Sequence, residues 1–545
     1  MGIKKNVLLT ASVLCLIIGF VSCSGLIVKL ENARKPETKV EKPAGPLTYI
    51  VKHFQQNLDD DEYTEITEDR EIFTGEEGAV TNAQAKEYRG FTAKEITQQT
   101  IAADGSTVVS VYYDRNICTV SFDTKGVGEL NDISVRAGSK INKPADLVKN
   151  CYKFLGWCKD AGGSEEFDFD NTVVFEDTTI YASWFTLVGT VAKSAIEIDG
   201  KIFDKTEEVY VVPPGEMAVV ECGETHPDLA NISNRGVYYM GAFWDNRKIK
   251  LSPYIISKYE VTQELYEEVM KDKTFSITWN NRNYDCYLNN KPSFNNQDDE
   301  IKSFYPVEHM SKYDVMYFCN LLSEKQGLDP VYIIKNLTVT LLGVNERKNP
   351  TVEDLKKGTI KSAIVTYDLS ANGYRLPTQA EWEFAARGGD PTKPEWNYLY
   401  SGAPSAYGVE HTIRYEIDNG IDEIGWYYNS WQNHSKIETH EVGLKKPNSL
   451  GLYDMTGNAW EYCNDKYTGD KRIIGEYEEG GYIVNPLGCP IENYGYDFLL
   501  GGAFNSFACT VTVCYLHTVN SNFYDAYNEN RQTAYGFRLV RSCRE

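Results

Sequence analysis

The stretch GYRLPTQAEWEFAARGG, residues 373–389, decides the fold of the largest part of this 545-residue chain. Thr378 stands where a helix N-cap is expected, and Glu381 three residues later completes a capping box. Gly388 is typical of the position just past a helix end. The stretch therefore predicts a short helix bounded on both sides, whose charged residues serve folding by tying helix to loop.

Two further helices are predicted upstream of this stretch. Thr262 can cap one whose apolar residues Leu265 and Val269 lie four apart on one face. Ser311 and Asp314 form a capping box at the start of the other. The segments 274–305 and 330–368 are predicted to be insertions or elaborated loops.

Three segments together resemble the formylglycine-generating enzymes, also called sulfatase-modifying factors. They are residues 373–389, the stretch PNSLGLYDMTGNAWEY at 447–462, and a terminal G-G…G-F-R pattern at Gly501, Gly502 and Gly536–Arg538. The resemblance implies a C-type-lectin-like α+β domain over residues 205–545. We call this domain the head.

The resemblance also implies a calcium site in the second segment. Carried onto this chain, the ligands are the side chains of Asp454 and Glu461 and the backbone carbonyls of Gly457 and Ala459. Hard oxygen donors on a tight turn suit Ca²⁺. The alternative is a metal-free turn in which Asp454 accepts backbone N–H groups.

Copper is the cofactor of the enzymes in this family, held by two cysteine thiolates because soft sulfur ligands select Cu(I). Those cysteines lie four and nine residues beyond the second glycine, which here gives Ser506 and Val511. Cys509 and Cys514 keep the five-residue separation, three positions late. They are catalytic residues if an insertion after Phe504 restores the register, or otherwise buried or disulfide-bonded strand residues.

A binding function is the alternative to catalysis, since non-enzymatic relatives of this fold present a ligand surface on their terminal segment. Residues 505–535 are rich in polar and aromatic side chains, the mixture found in paratopes. The predicted ligand-binding residues are Asn505, Phe507, Tyr515, His517, Phe523, Tyr524 and Tyr527. A plain polar loop is the other interpretation.

Residues 116–186 resemble the Listeria/Bacteroides surface repeat, or internalin B-repeat. Its motif residues here are Val120, Phe122, Asp123, Gly138, Ile141, Pro144, Phe154, Gly156, Trp157, Tyr181, Ala182 and Trp184. Trp157 and Trp184 are expected to fill a small core, with carbohydrate stacking as the alternative. Residues 47–115 alternate in short runs and resemble a mucin-binding or β-grasp-like module.

The N-terminus predicts export. Lys4 and Lys5 precede a short apolar run that ends at Ser22-Cys23, which resembles a spirochaete-type lipobox. Residues 1–22 are then a signal peptide, Cys23 carries a lipid, and 23–46 form a linker. A plain secretory peptide with an incidental cysteine is the alternative.

The formal charge of −23 offers no basic surface for phosphates, which argues against nucleic-acid partners. Thirteen cysteines occur, and eleven remain once Cys15 leaves with the signal peptide and Cys23 is acylated. In an oxidising compartment at least one of these must be free or paired outside the chain.

The sequence thus predicts a multidomain α+β lipoprotein with two small β-rich modules and a head. We expect it in the cell envelope, on the outer surface or the periplasmic face, held to the membrane by its lipid. The head is expected to bind a protein or glycan and to carry calcium. The alternative is an oxidase that converts a target cysteine to formylglycine with Cu(I) and O₂.

Overall fold

The structure is a computed structural model in which three folded parts follow one another along the chain. It describes residues 46–214, 241–243, 248–271, 274–279, 282–287, 303–308, 310–340, 351, 359–368, 370–403, 419–428, 438–467, 482–485, 496–520 and 534–543. The predicted signal peptide, Cys23 and most of the linker lie outside these ranges, as do Phe523, Tyr524 and Tyr527. Two compact units result, one ending at Asn116 and one beginning at Ile117.

The first unit contains a five-stranded sheet. Its strands are β1 Leu47–Gln56, β2 Tyr63–Glu65, β3 Glu71–Gly75, β4 Phe91–Ala93 and β5 Val108–Arg115. β1 and β5 run parallel at the centre, and alternate residues of both strands are buried. Tyr49, Val51, Val109 and Val111 form the core on that face. This alternation is what a sheet buried on one side requires.

The repeat module opens the second unit. Its strands are β6 Ile117–Asp123, β7 Ile133–Arg136, β8 Tyr152–Cys158 and β9 Thr178–Thr186, in the order β7-β6-β9-β8. Trp157 is 1% exposed at the centre of the core, and Trp184 packs against the same cluster. The structure therefore confirms that both tryptophans pack in the core of the repeat.

The head is built from short strands. They are β10 Val191–Lys193, β11 Ile196–Ile198, β12 Lys201–Phe203, β13 Glu208–Val211, β14 Lys248–Lys250, β15 Tyr254–Ser257, β16 Thr274–Trp279, β17 Arg282–Tyr287, β18 Tyr332–Thr340, β19 Thr359–Tyr367, β20 Trp460–Tyr467, β21 Tyr482–Val484, β22 Tyr496–Leu500, β23 His517–Asn520, β24 Tyr535–Gly536 and β25 Val540–Ser542. Two four-stranded sheets organise it, β10-β13-β15-β25 and β23-β22-β20-β24. Residues 191–203 thus pack with the domain predicted to begin at 205.

The head's described helices are α1 Gln263–Met270, α2 Lys312–Lys325, α3 Gln379–Ala386 and α4 Asn419–Ile424. Complete capping boxes begin α2 at Ser311 and α3 at Thr378, as predicted. Thr262 stands at the N-cap of α1 but makes no side-chain cap bond. The Tyr305 carbonyl instead accepts the first helical N–H, from Gln263 at 2.9 Å.

The predicted insertions contain two antiparallel hairpins, β16–β17 and β18–β19. Tyr332, Ile360 and Val365 of the second hairpin join the main core beside Phe318 and Leu322 of α2. This segment is therefore part of the packed domain as well as a loop elaboration. Among the described residues, no helix has the length and apolarity needed to cross a bilayer.

Candidate functional site

The terminal segment that follows β22 turns sharply at two glycines. Gly501 and Gly502 have φ of +85° and +79°, the left-handed region that favours glycine. A Cβ on Gly502 would stand 2.9 Å from the Cα of Val511, so the turn and Val511 are packed together. The Ser506 hydroxyl accepts the Ala503 N–H at 2.9 Å, and the Ser506 carbonyl accepts that of Tyr428 at 2.8 Å.

The two positions that match the copper cysteines without a gap therefore have structural roles. Ser506 closes the turn, and Val511 is fully buried. Cys514 is also fully buried, with its sulfur 3.9 Å from the Thr512 hydroxyl. Cys509 belongs to a 3-10 turn, Ala508–Thr510, but its side chain lies outside the described residues.

Partly exposed aromatic rings line the segment after the turn. Tyr515 and His517 lie 5.9 Å and 5.0 Å from Trp460, measured between ring centroids. The His517 Nε2 lies 3.3 Å from the Tyr535 hydroxyl. Because the rings pack on one another, they are held in place before any ligand arrives.

Phe507 lies earlier in the terminal segment, 5.0 Å from the Tyr428 ring between ring centroids. Asn505 is partly exposed beside it. Four of the seven predicted ligand-binding residues are thus described, and each keeps part of its surface open: Asn505, Phe507, Tyr515 and His517.

A buried ion pair lies on the other side of β20. Both Glu461 oxygens accept hydrogen bonds from Arg538, each at 2.6 Å, and Glu461 also accepts the Trp382 indole N–H at 2.6 Å. The Arg538 guanidinium also donates to the backbone carbonyls of Ser257 and Tyr453. Both charged side chains are completely buried.

Two more buried carboxylates, those of Glu260 and Asp454, flank this pair. We call these four residues the charge cluster. Glu260 accepts the Asn458 side-chain amide at 2.6 Å and the Ala459 N–H at 2.9 Å. Burial, reinforced by the charges of Asp454 and Glu461, raises the pKa of Glu260 well above its usual range. Glu260 thereby holds the turn that carries the predicted calcium carbonyls.

Asp454 is the member of the cluster with an open oxygen. Its Oδ2 accepts the Gly443 N–H at 2.7 Å, whereas its buried Oδ1 has no hydrogen-bond partner among the described residues. Burial raises the pKa of Asp454 to about 6.

The two side chains predicted to bind calcium therefore differ in how free their oxygens are. Asp454 offers a buried oxygen that a cation could satisfy, which fits a hard metal ion. Glu461 already accepts hydrogen bonds on both oxygens. Within the described ranges, no three His, Cys, Asp or Glu side chains converge as a metal-ligand group, so a calcium ion would depend on backbone carbonyls.

Sequence reasoning missed the residues that organise this cluster. Arg538 stood inside the G-F-R pattern and Glu260 two residues before the predicted helix cap Thr262, but nothing in their spacing reveals their partners. Trp460 and Tyr535, whose rings lie beside His517, also stood inside or beside such motifs. No feature of the sequence near either residue shows that it lies beside His517.

Two family profiles match the chain. The one described as sulfatase-modifying factor enzyme 1-like domain matches residues 201–543, more than half of the chain. The Listeria-Bacteroides repeat domain matches residues 119–183. Both predicted resemblances are confirmed, and with them the α+β class with a C-type-lectin-like head.

Individual relatives cover smaller parts. A protein described as chaperone protein LppX, from Paenibacillus barcinonensis, is 32% identical over 40% of this chain and 65% of its own length. The formylglycine-generating enzyme of Bos taurus is 30% identical over 26% of this chain and 32% of its own length. The chain thus spans less than two thirds of either relative. Among solved structures, Treponema denticola variable protein 1 is 24% identical with a TM-score of 0.39, covering 64% of this chain and 98% of that one.

Proposed function

The chain belongs to the sulfatase-modifying factor enzyme 1-like family, and from that premise we propose that its head is a binding platform rather than an oxidase. The observation that carries the proposal is the packing of the terminal segment. Val511 and the Cys514 sulfur are both fully buried, and Ser506 closes a turn. A copper oxidase needs two thiolates that converge on one ion and remain open to the substrate cysteine. Cys514 as placed does not fit that requirement.

The proposed binding residues are Asn505, Phe507, Tyr515 and His517. Trp460 packs against Tyr515 and His517, and Tyr428 packs against Phe507. Aromatic rings fixed by mutual contact supply apolar area at a small cost in conformational entropy. Polar groups of Asn505 and His517 supply directional hydrogen bonds. The ligand is a protein or a glycan, since a chain of charge −23 repels nucleic acid.

The enzymatic alternative is tested by supplying the purified chain with Cu(I), O₂ and a peptide carrying the Cys-x-Pro-x-Arg pattern of sulfatases. Mass spectrometry is expected to find no aldehyde. Formylglycine above the level of a Cys509→Ser, Cys514→Ser control would establish the oxidase and displace the binding proposal.

Binding itself is tested on a glycan array and an array of extracellular proteins. We expect signals that Tyr515→Ala and His517→Ala lower at least tenfold. Ile333→Ala is the control, because Ile333 is 43% exposed on the β18–β19 hairpin. Signals that all three variants reduce equally, or arrays without any signal, would contradict this binding face.

Calcium belongs to the same proposal, held by Asp454 and Glu461 with the carbonyls of Gly457 and Ala459. The Asp454 Oδ1, which has no hydrogen-bond partner among the described residues, supports it. A bound cation would contact this oxygen and fix the turn. Ca²⁺ is then expected to raise the melting temperature, and Asp454→Ala with Glu461→Ala to abolish the increment. A wild-type melting temperature that neither calcium nor a chelator changes would contradict the calcium site.

Export and lipidation at Cys23 complete the proposal and place the head on the cell envelope. The support is the sequence of residues 1–23, with its basic start, apolar run and terminal Ser22-Cys23. Cys23→Ser is expected to leave the protein exported but to shift it from membranes to the soluble fraction. A mutant that still needs detergent for extraction would disprove the anchor.

A further inference from the structure

A disulfide joins the repeat module to the last strand of the head. Cys151, just before β8, is bonded to Cys543, just after β25, with 6.4 Å between the two Cα atoms. The partners are 392 residues apart in the sequence. The bond therefore connects two modules that follow one another in the chain but meet again at its far end.

The backbone at Cys151 is specialised for this bond. Its φ is +66°, in the region that favours glycine, and the residue is 1% exposed. A glycine would adopt this conformation without strain, so the cysteine is explained by its side chain. The Cys151 carbonyl also accepts the N–H of Leu187, the first residue after β9.

The chain between the two modules is itself part of the head's sheet. Val188 forms a parallel bridge with Tyr210, and the N–H of Gly189 donates to the Tyr210 carbonyl at 2.8 Å. Tyr210 in turn donates to the Thr190 carbonyl, and β10 begins at Val191. Only Leu187 separates β9 from these contacts, so the connection contains no free linker.

Other cysteines show that this pairing is selective. Cys118 and Cys158 of the repeat, like Cys319 and Cys463 of the head, are buried thiols outside any disulfide. Each of these serves its own module's interior. Among the described residues, the bridged pair is the one that crosses from module to module.

We propose that the Cys151–Cys543 disulfide locks the repeat and the head into one rigid body and that thiol reduction unlocks them. The repeat has two neighbouring attachments to the head, the continuous backbone at residues 187–190 and the sulfur bridge at Cys151, and it loses the rotations that one attachment would allow. The repeat is then a rigid stem that presents the head's binding face in a fixed direction. Reduction by a dithiol transfers two electrons and two protons, breaks the S–S bond and leaves thiols on Cys151 and Cys543, while the dithiol closes to its own disulfide.

The test uses the purified full chain with fluorescent labels on unnatural amino acids at Leu155 of the repeat and Leu444 of the head, which are 57% and 60% exposed. Peptide mapping without reductant should find the peptides of Cys151 and Cys543 linked. The distribution of distances between the labels should be narrow in the oxidised chain. Dithiothreitol should broaden it at least twofold, as should Cys151→Ser. Cys158→Ser, which removes a buried thiol of the same repeat, should leave it narrow.

Three results would overturn the proposal: no linked peptide, a distribution that reduction does not broaden, or equal broadening by Cys158→Ser. If Cys151→Ser does not fold, reduction of the folded wild-type chain gives the same measurement. None of these outcomes depends on the ligand of the head, so the lock and the proposed function fail independently.

Discussion

Arg538→Met tests the buried charge cluster most directly, because the Arg538 guanidinium is completely buried and pairs with Glu461. The substitution removes both hydrogen bonds to Glu461 and leaves that carboxylate with the Trp382 N–H alone. The carbonyls of Ser257 and Tyr453 also lose a donor. Breaking a buried ion pair on one side costs about 3–5 kcal/mol. We expect a loss of that size in the free energy of unfolding of the head.

The matched control is Arg541→Met, three residues along the chain. Arg541 also pairs with a buried carboxylate, Glu208, but it reaches only one oxygen and its side chain is 21% exposed. Only one Glu208 oxygen loses its donors there, so the expected cost is smaller, about 1–3 kcal/mol. Urea unfolding gives the free energies, and hydrogen exchange of β20 amides assigns the transition to the head.

The double variant Arg538→Met, Glu461→Gln removes both charges. It is expected to be at least as stable as Arg538→Met alone, because no unpaired charge is left buried. Calcium adds a second comparison. If Ca²⁺ contacts Glu461, it should restore part of the stability of Arg538→Met and none of that of Arg541→Met. Equal losses in Arg538→Met and Arg541→Met would refute the view that this cluster holds the head together.

Three further outcomes are expected from the described contacts. Gly241→Ala should destabilise the head by about 1–3 kcal/mol, because a Cβ would stand 2.6 Å from the Glu383 carboxylate carbon; thermal melts that match wild type would contradict it. Burial raises the pKa of Asp465 to about 7, so the folded state keeps a proton that the unfolded chain releases. The free energy of unfolding should therefore fall as the pH rises from about 4 to about 7, by about 4 kcal/mol at most. Asp465→Asn should flatten that dependence in urea titrations, and an unchanged pH profile would exclude the assignment. Thr378→Ala should lower the free energy of unfolding by about 1 kcal/mol, and Thr262→Ala should change it little, since of these two residues only Thr378 makes a side-chain cap bond. Equal losses for the two variants in urea unfolding would contradict this difference between the caps.

Sequence reasoning reached the local features of the fold. Helix starts at Ser311 and Thr378 were predictable because a capping box is written in residues only three apart. The repeat was recognisable because a small core needs large apolar anchors at fixed strand positions, as at Trp157. Such signals are short in sequence, and each is set by a few neighbouring residues.

Contacts between residues far apart in the chain could not be predicted from the sequence. Glu260 receives its hydrogen bond from an amide 198 residues away, and the disulfide spans 392 residues. No periodicity encodes which of many acids meets which donor, because that choice depends on how the sheets come together. The same limit kept the calcium prediction incomplete: the motif supplied Glu461 as a ligand, but only the folded chain brings Arg538 to it.

The packing of the terminal segment also decides how an insertion there is to be understood. Ser506 closes a turn on Ala503 through its backbone N–H and its hydroxyl, and Asn505 lies within that turn. If Asn505, Ser506 and Phe507 are the inserted residues, Cys509 and Cys514 correspond to the family's two copper cysteines. Register alone does not make a copper site, however, because Cys514 is fully buried and so are Val513 and Leu516 beside it in the sequence, which are 1% and 2% exposed. Exposing one such apolar side chain to bring the sulfur to a substrate would cost about 1.5–3 kcal/mol. The described segment holds Cys514 inside the head and leaves the rings of Tyr515 and His517 partly exposed, and this arrangement supports the proposed binding function more than an oxidase.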